Sequence, residues 1–255
     1  MNCLDLTLYP SLTLTLVEKS GETYVKRFGV RKGVNVADDP HLSGRWFDPR
    51  RYIGDLSKDV EESVTRLLER YAGCVGLSIS PGDEGLIFVA AFLTQNTSYH
   101  TNVLKWTRAL FSRSEDLNDI AEAAPALGNS YQLKMLPEAL REYLSTKPRT
   151  RSDLVRIRGV GAKVADLYLL FTGDTTAVPV DKHFIRYAPQ LGLKGVPPRA
   201  ELCARYVCEE CPLRRNCLRA QASEKMGRLA GWVQTVVWLI STRKEAKARS
   251  QSEAR

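Results

Sequence analysis

No apolar run in this chain is long enough to cross a bilayer. The longest, Leu229 to Ile240, is interrupted by Gln234, and a spanning helix needs ~20 apolar residues. A secretory leader is not read either. The first residues show no basic start and no continuous apolar core, and they alternate threonine with leucine. Internal repeats and low-complexity tracts are missing as well. With the membrane and secreted classes set aside, an intracellular monomer is expected. The 255 residues suffice for one large domain or two small ones. Apolar residues at 44% and charged residues at 26% exclude a disordered or fibrous chain. One sign of charge is in excess: the net charge is +8. A basic protein suits a polyanion, because each Lys or Arg at a phosphate releases counterions. Charge alone does not single out nucleic acid.

The chain reads as mainly α with a small N-terminal antiparallel sheet. Residues 4 to 17 place Leu12, Leu14 and Leu16 opposite Thr13 and Thr15, the alternation of a strand with one buried face. Lys19-Ser20-Gly21 supplies a turn, and Thr23 to Phe28 the return strand. Beyond residue 50 the periods are helical. Val60, Val64, Leu67, Leu68 and Tyr71 share a face behind a Ser57 cap. Gly85 to Leu93 is a buried helix, and Tyr99 to Phe111 another. Short helices follow at Leu117 to Ala123 and Leu136 to Leu144, broken by Pro125, Pro137 and Pro148. A last helix covers Ser223 to Ile240, with a frayed polar tail after Ser241. The expected division is a β-rich region over 1–50, a helical lobe from 51–84 plus 191–255, and a helical domain over 85–190.

Three segments carry chemistry. Gly159-Val160-Gly161 separates two apolar helical stretches within Ser152 to Phe171. The glycines allow a sharp turn and bare the first N–H groups of the second helix, an anion site suited to a phosphate. A Gly-x-Gly by itself is equally an ordinary helix–helix turn. Lys163 follows in the first helical turn, where partial burial and the positive helix end favour a neutral amine, a nucleophile. Most single lysines are solvated surface residues. Eighteen residues on, Val178-Pro179-Val180 ends at Asp181, which can cap a helix or turn its carboxylate onto a cationic sugar. His183 beside it reads as structural.

These strings resemble the helix-hairpin-helix DNA glycosylases. Gly-Val-Gly-Ala-Lys-Val-Ala-Asp (159–166) and Ala-Val-Pro-Val-Asp-Lys-His (177–183) are most similar to the 8-oxoguanine branch. The resemblance implies that Lys163 attacks the sugar C1′ and that Asp181 assists. Phe92-Leu93-Thr94-Gln95-Asn96-Thr97 resembles the segment that plugs the gap left by a flipped base, with Gln95 or Asn96 as the wedge. Its wording is nearer the endonuclease III and 3-methyladenine branches. Where the 8-oxoguanine branch places a cysteine against the flipped base, this chain has Leu167.

Six cysteines are present. Cys3 and Cys74 are isolated, whereas Cys203, Cys208, Cys211 and Cys217 are separated by four, two and five residues. In a reducing compartment such a group is a metal site before it is a disulfide framework. Four thiolates suit tetrahedral zinc or an iron–sulfur cluster. Endonuclease III-like glycosylases carry a [4Fe-4S] cluster just after the hairpin, usually with gaps of six, two and five. The resemblance therefore implies [4Fe-4S], with zinc as the alternative. Arg205, Arg214, Arg215 and Arg219 surround the cysteines and are expected to follow the DNA backbone.

The expectation is a base-excision glycosylase with lyase activity acting on damaged double-stranded DNA. The substrate order is 8-oxoguanine, then oxidised pyrimidines, then alkylated purines. A monofunctional glycosylase, with Asp181 activating water, is the enzyme alternative. A hairpin module that only binds DNA, with structural zinc, is the non-enzyme alternative.

Overall fold

The computed structural model describes residues 2–253, with side chains as far as Arg243. The protein is mostly helical. Its helices are α1 (Cys3–Leu8), α2 (Lys58–Tyr71), α3 (Glu84–Leu93), α4 (Leu104–Arg113), α5 (Leu117–Ala123), α6 (Tyr131–Thr146), α7 (Arg151–Leu154), α8 (Ala162–Thr172), α9 (Lys182–Tyr187), α10 (Ala200–Arg205), α11 (Leu218–Met226) and α12 (Ala230–Glu253). A hairpin, β1 (Val17–Ser20) with β2 (Thr23–Lys26), is antiparallel in the register Val17↔Lys26. Among the described residues no helix is long and apolar enough to cross a membrane.

Helix α3 is the hub. Every residue from Leu86 to Leu93 is buried, because α6 and α8 pack on it. An element covered on all sides needs no polar face, so its sequence is continuously apolar.

The N-terminal segment departs from the expected strand. Cys3–Leu8 is helical and Leu12–Leu16 is a 3-10 turn in which all five residues are buried. The threonines alternate with leucines but do not face water. Thr13 shares a hydrogen bond with the buried Ser78, and the Thr15 hydroxyl donates to the Leu12 carbonyl at 2.7 Å. A hydroxyl satisfied inside the protein is as buried as its apolar neighbour. Pro137 does not break a helix: α6 runs through it from residue 131 to 146. The expected last helix is two, divided at Gly227, which has φ +49°. The backbone stays helical to Glu253 where fraying was expected, and residues 254–255 of that tail lie outside the described residues.

Cys3 and Cys74 are not isolated. They form a disulfide, with an S–S distance of 2.06 Å, that ties α1 to the chain just beyond α2. A second long-range tie is the fully buried pair of Lys26 with Asp83, to which Ser80 also bonds.

Candidate active site

Thr150 begins α7 with a reciprocal capping box: its hydroxyl accepts from Asp153 N–H, and the Asp153 carboxylate accepts from Thr150 N–H. The turn that follows depends on Gly159, at φ +80°. A Cβ there would lie 2.9 Å from the Met135 methyl and 3.2 Å from the Phe92 ring. Gly161 differs: its φ is −89°, and a Cβ would meet nothing within 4 Å. It stands in open space at the start of α8, which no described side chain caps. The first N–H groups of α8 have no side-chain acceptor among the described residues, the arrangement in which a helix start can take an anion. Val160 is buried beneath the turn.

Lys163 lies in the first turn of α8, and its Nζ donates to the Thr94 carbonyl at 3.4 Å. Desolvation holds its pKa below the ordinary lysine value; the nearby Asp181 carboxylate opposes that shift and Lys182 adds to it. Asp181 caps α9, its Oδ1 accepting from His183 N–H at 3.0 Å and Phe184 N–H at 2.8 Å. The expected cap is therefore formed. Lys163 and Asp181 line one cavity of about 980 Å³, together with Leu167, one turn beyond Lys163. This is within the range of small-molecule sites.

The α3–α4 connection reaches the same cavity. Gln95 folds back, its Nε2 donating to the Phe92 carbonyl at 2.9 Å, and its own carbonyl accepts from the Gln132 amide. Asn96 is exposed, lines the cavity, and has φ +44°. Asn tolerates this left-handed conformation better than most residues. Its Nδ2 donates to the Tyr131 hydroxyl at 3.3 Å, and Tyr131 is itself exposed.

Other parts of the cavity were not legible as a site. Tyr9 and Pro10 come from the end of α1, Tyr99 and His100 from a π-type turn before α4, and Trp238 from α12. The Tyr9 ring stacks on His100 with centroids 4.0 Å apart, and Trp238 lies 5.7 Å from Tyr9 and 5.8 Å from His100. His183 also lines the cavity and is buried.

The four remaining cysteines are free thiols: Cys203 lies in α10, Cys208 and Cys211 in the connection that follows, and Cys217 immediately before α11. Two arginines turn toward them. Arg151 Nη1 and Nη2 reach Cys208 and Cys203 Sγ, each at 3.7 Å, and Arg219 Nη1 reaches Cys208 Sγ at 3.5 Å. Both are held by the fully buried Asp166: Arg151 donates at 2.9 and 3.2 Å, and Arg219 at 3.2 Å. Arg219 thus faces inward rather than following a DNA backbone. Arg214 pairs with Glu224 at 3.6 Å, while Arg205 and Arg215 are exposed. Burial pushes the Cys203 thiol above its usual pKa; Arg151 pulls the other way, and Cys208 and Cys217 add to the rise. Among the described residues no three histidine, cysteine or carboxylate side chains gather closely enough to hold a single metal ion.

No family model matches the chain, and no curated protein matches it significantly. Solved structures do. An 8-oxoguanine glycosylase/lyase from Clostridium acetobutylicum, in complex with DNA containing cytosine opposite 8-oxoguanine, superposes with a TM-score of 0.63 at 13% identity, covering 96% of this chain and 94% of that one. Its apo form gives 0.58 at 13% identity, covering 94% and 93%. A 3-methyladenine DNA glycosylase from Archaeoglobus fulgidus gives 0.63 at 14% identity, covering 93% and 92%. The chain has the helix-hairpin-helix DNA glycosylase fold. The glycosylase fold extends over nearly the whole chain, so the expected fold class is met.

Proposed function

We propose that this protein is a base-excision DNA glycosylase with lyase activity, and that 8-oxoguanine is its first substrate. One observation carries the reading: the fold brings Lys163 and Asp181, eighteen residues apart, into one cavity of nucleotide size. The backbone of a bent duplex rests on the open start of α8 and on Arg205 and Arg215. The damaged nucleotide rotates into the cavity, and Asn96, with Tyr131 beside it, fills the gap. Gln95 is already committed to the backbone.

Lys163 must be neutral to attack, and desolvation favours that form. Its Nζ forms a bond to C1′ as the glycosidic C1′–N bond breaks, and the base leaves with the electron pair and takes up a proton. Asp181 stabilises the positive charge developing on the sugar. Loss of the amine proton opens the ring to a Schiff base. Removal of a C2′ proton then expels the 3′ phosphate by β-elimination.

Borohydride trapping tests this directly. Duplexes carrying 8-oxoguanine, thymine glycol, a 3-methyladenine analogue, uracil or an abasic site are each incubated with the protein. A covalent adduct with the 8-oxoguanine duplex, absent in Lys163→Gln, is the expected outcome. The aromatic wall of Tyr9, Tyr99 and Trp238 favours a second reading, since aromatic faces attract cationic bases such as alkylated purines. Base release without an adduct, retained in Lys163→Gln, would mark that monofunctional enzyme.

We propose further that Cys203, Cys208, Cys211 and Cys217 hold a [4Fe-4S] cluster. The four cysteines lie within fifteen residues just after the hairpin, where the resemblance to endonuclease III-like glycosylases implies such a cluster. Two guanidinium groups directed at the sulfurs suit a donor set that carries negative charge. The cluster would anchor the loop against α8. Brown protein with iron and labile sulfide in equal amounts supports it; colourless protein containing zinc overturns it.

A further inference from the structure

We propose that the Cys3–Cys74 bridge is a thiol-exchange site, opened by an anionic low-molecular-weight thiol that docks in the cavity beside it. This site is separate from the Lys163 cavity and shares no lining residue with it.

Three observations converge on the bridge. The first is access. Cys3 is exposed and Cys74 half-buried, and both line a cavity of about 470 Å³. That volume is within the range of small-molecule sites. Exposed disulfides are the labile ones, because a thiolate must reach a sulfur to attack it.

The second is charge. Arg45 and Arg50 line the same cavity, and both are exposed. Arg45 is held on the rim, its Nε donating to Ser43 Oγ at 3.1 Å and its Nη2 to the Ala37 carbonyl at 2.7 Å. Among the described residues Asp48 is the one carboxylate on this wall, and it is already engaged. Its Oδ1 accepts from Arg50 N–H at 3.1 Å, and its Oδ2 lies 3.7 Å from Arg51 Nε. Two guanidinium groups beside one paired carboxylate favour an anionic ligand.

The third is the place of the leaving sulfur. A Cβ built on Gly73 would lie 3.3 Å from Arg50 Nη2, so this guanidinium rests against the residue next to Cys74. A thiolate released at Cys74 forms close to a positive charge, which makes it the better leaving group. The exposed Cys3 is then the sulfur that is attacked.

The exchange has two steps. A small thiol gives up its proton, and its thiolate attacks Cys3 Sγ. The S–S bond breaks, and Cys74 leaves with the electron pair and takes up a proton. The protein now carries a mixed disulfide at Cys3. A second thiolate attacks the small molecule's sulfur and releases Cys3 as a thiolate, which is protonated in turn. Two small thiols are oxidised to their disulfide as the one bridge is reduced, and the reverse sequence closes it. Hydrogen bonds keep the two cysteines near one another meanwhile. Thr7 Oγ1 donates to the Cys74 carbonyl at 3.2 Å and accepts from Gly76 N–H at 2.9 Å. Helix α1 runs on into Tyr9, which lines the Lys163 cavity, so the bridge also fastens that wall.

The test incubates native protein with millimolar glutathione, a net anionic thiol, or with 2-mercaptoethanol, a neutral one. Each reaction is quenched with N-ethylmaleimide and mapped by peptide mass spectrometry. Glutathione on Cys3 with maleimide on Cys74 is the expected intermediate, and glutathione disulfide is expected to restore the bridge in the reduced protein. Arg50→Gln, alone and with Arg45→Gln, is expected to lower the rate with glutathione relative to 2-mercaptoethanol by ~2- to 5-fold for each arginine. The ratio cancels the intrinsic reactivity of each thiol, and thermal unfolding without thiol checks that the variants are folded. A bridge that opens only after denaturation overturns the proposal and leaves the disulfide purely structural. A rate ratio unchanged in both arginine variants overturns the anion site. Glutathione found on Cys74 instead of Cys3 overturns the order of attack.

Discussion

Asp181 does two separable things, and its substitutions separate them. As the cap of α9 it accepts two backbone N–H groups; as a charge it lies in the cavity with Lys163. Asn caps as well as Asp, whereas Ala does not. Asp181→Asn is therefore expected to lose most base-release activity while unfolding at nearly the wild-type midpoint. Asp181→Ala is expected to lose the activity and about 1 kcal/mol of stability as well, measured by denaturant titration. His100 gives a second prediction at this scale. Its ordinary pKa of 6.5 falls to about 4 on folding. Between those values the unfolded chain binds the proton and the folded one does not, so stability falls as pH drops through this window. His100→Phe removes that dependence, and the stability–pH curves of the two proteins should diverge only there. The pair Lys163 and Asp181 was legible because each lies in a short local string. His100 was not, because its burial and its stacking on Tyr9 are contacts across ninety residues of sequence.

The hairpin shows what an element asks of its glycines. Gly159 needs both a positive φ and the space that a Cβ would take from Met135 and Phe92. Gly161 needs neither, and what it offers is access to the helix start. Gly159→Ala is expected to lower stability by more than ~1 kcal/mol, since the residue must adopt a strained conformation inside a contact. Gly161→Ala is expected to fold normally but bind duplex DNA more weakly, as measured by fluorescence anisotropy. Elsewhere the chain departs from its local sequence pattern for definite physical reasons. Alternating Leu and Thr at 12–16 fits a one-sided strand only if threonine faces water, and here the hydroxyls are paired within the core. Pro137 lies where a break is the default, yet α6 continues, the packing of α6 on α3 and α5 outweighing one missing hydrogen bond.

Across the whole molecule, distant segments are tied by a covalent bond and by buried charges. The Cys3–Cys74 bridge spans a sequence separation of 71, and closing a loop of that size restricts the unfolded chain considerably. Cys3→Ser with Cys74→Ser is expected to lower stability by ~2–4 kcal/mol, read by thermal unfolding against the wild type without reductant. The pairing was not legible, since neither cysteine has a neighbour in sequence. The cysteine group was legible as a group, but its support was not: Arg151, Asp166 and Arg219 come from three segments, and Asp166 stands one turn from Lys163 on α8. The loop that carries the thiols and the helix that carries the amine are thereby fixed to one another.

The cavity wall is drawn from residues 9, 100, 163, 181 and 238. A ribosome delivers these in order, and contacts between such distant positions form late because loops must close before they are rewarded. Until α12 has emerged and Trp238 has docked, a growing chain already possesses its lysine and its hairpin but not an enclosed site. On the function proposed above, a half-made copy would meet DNA before it could enclose a base.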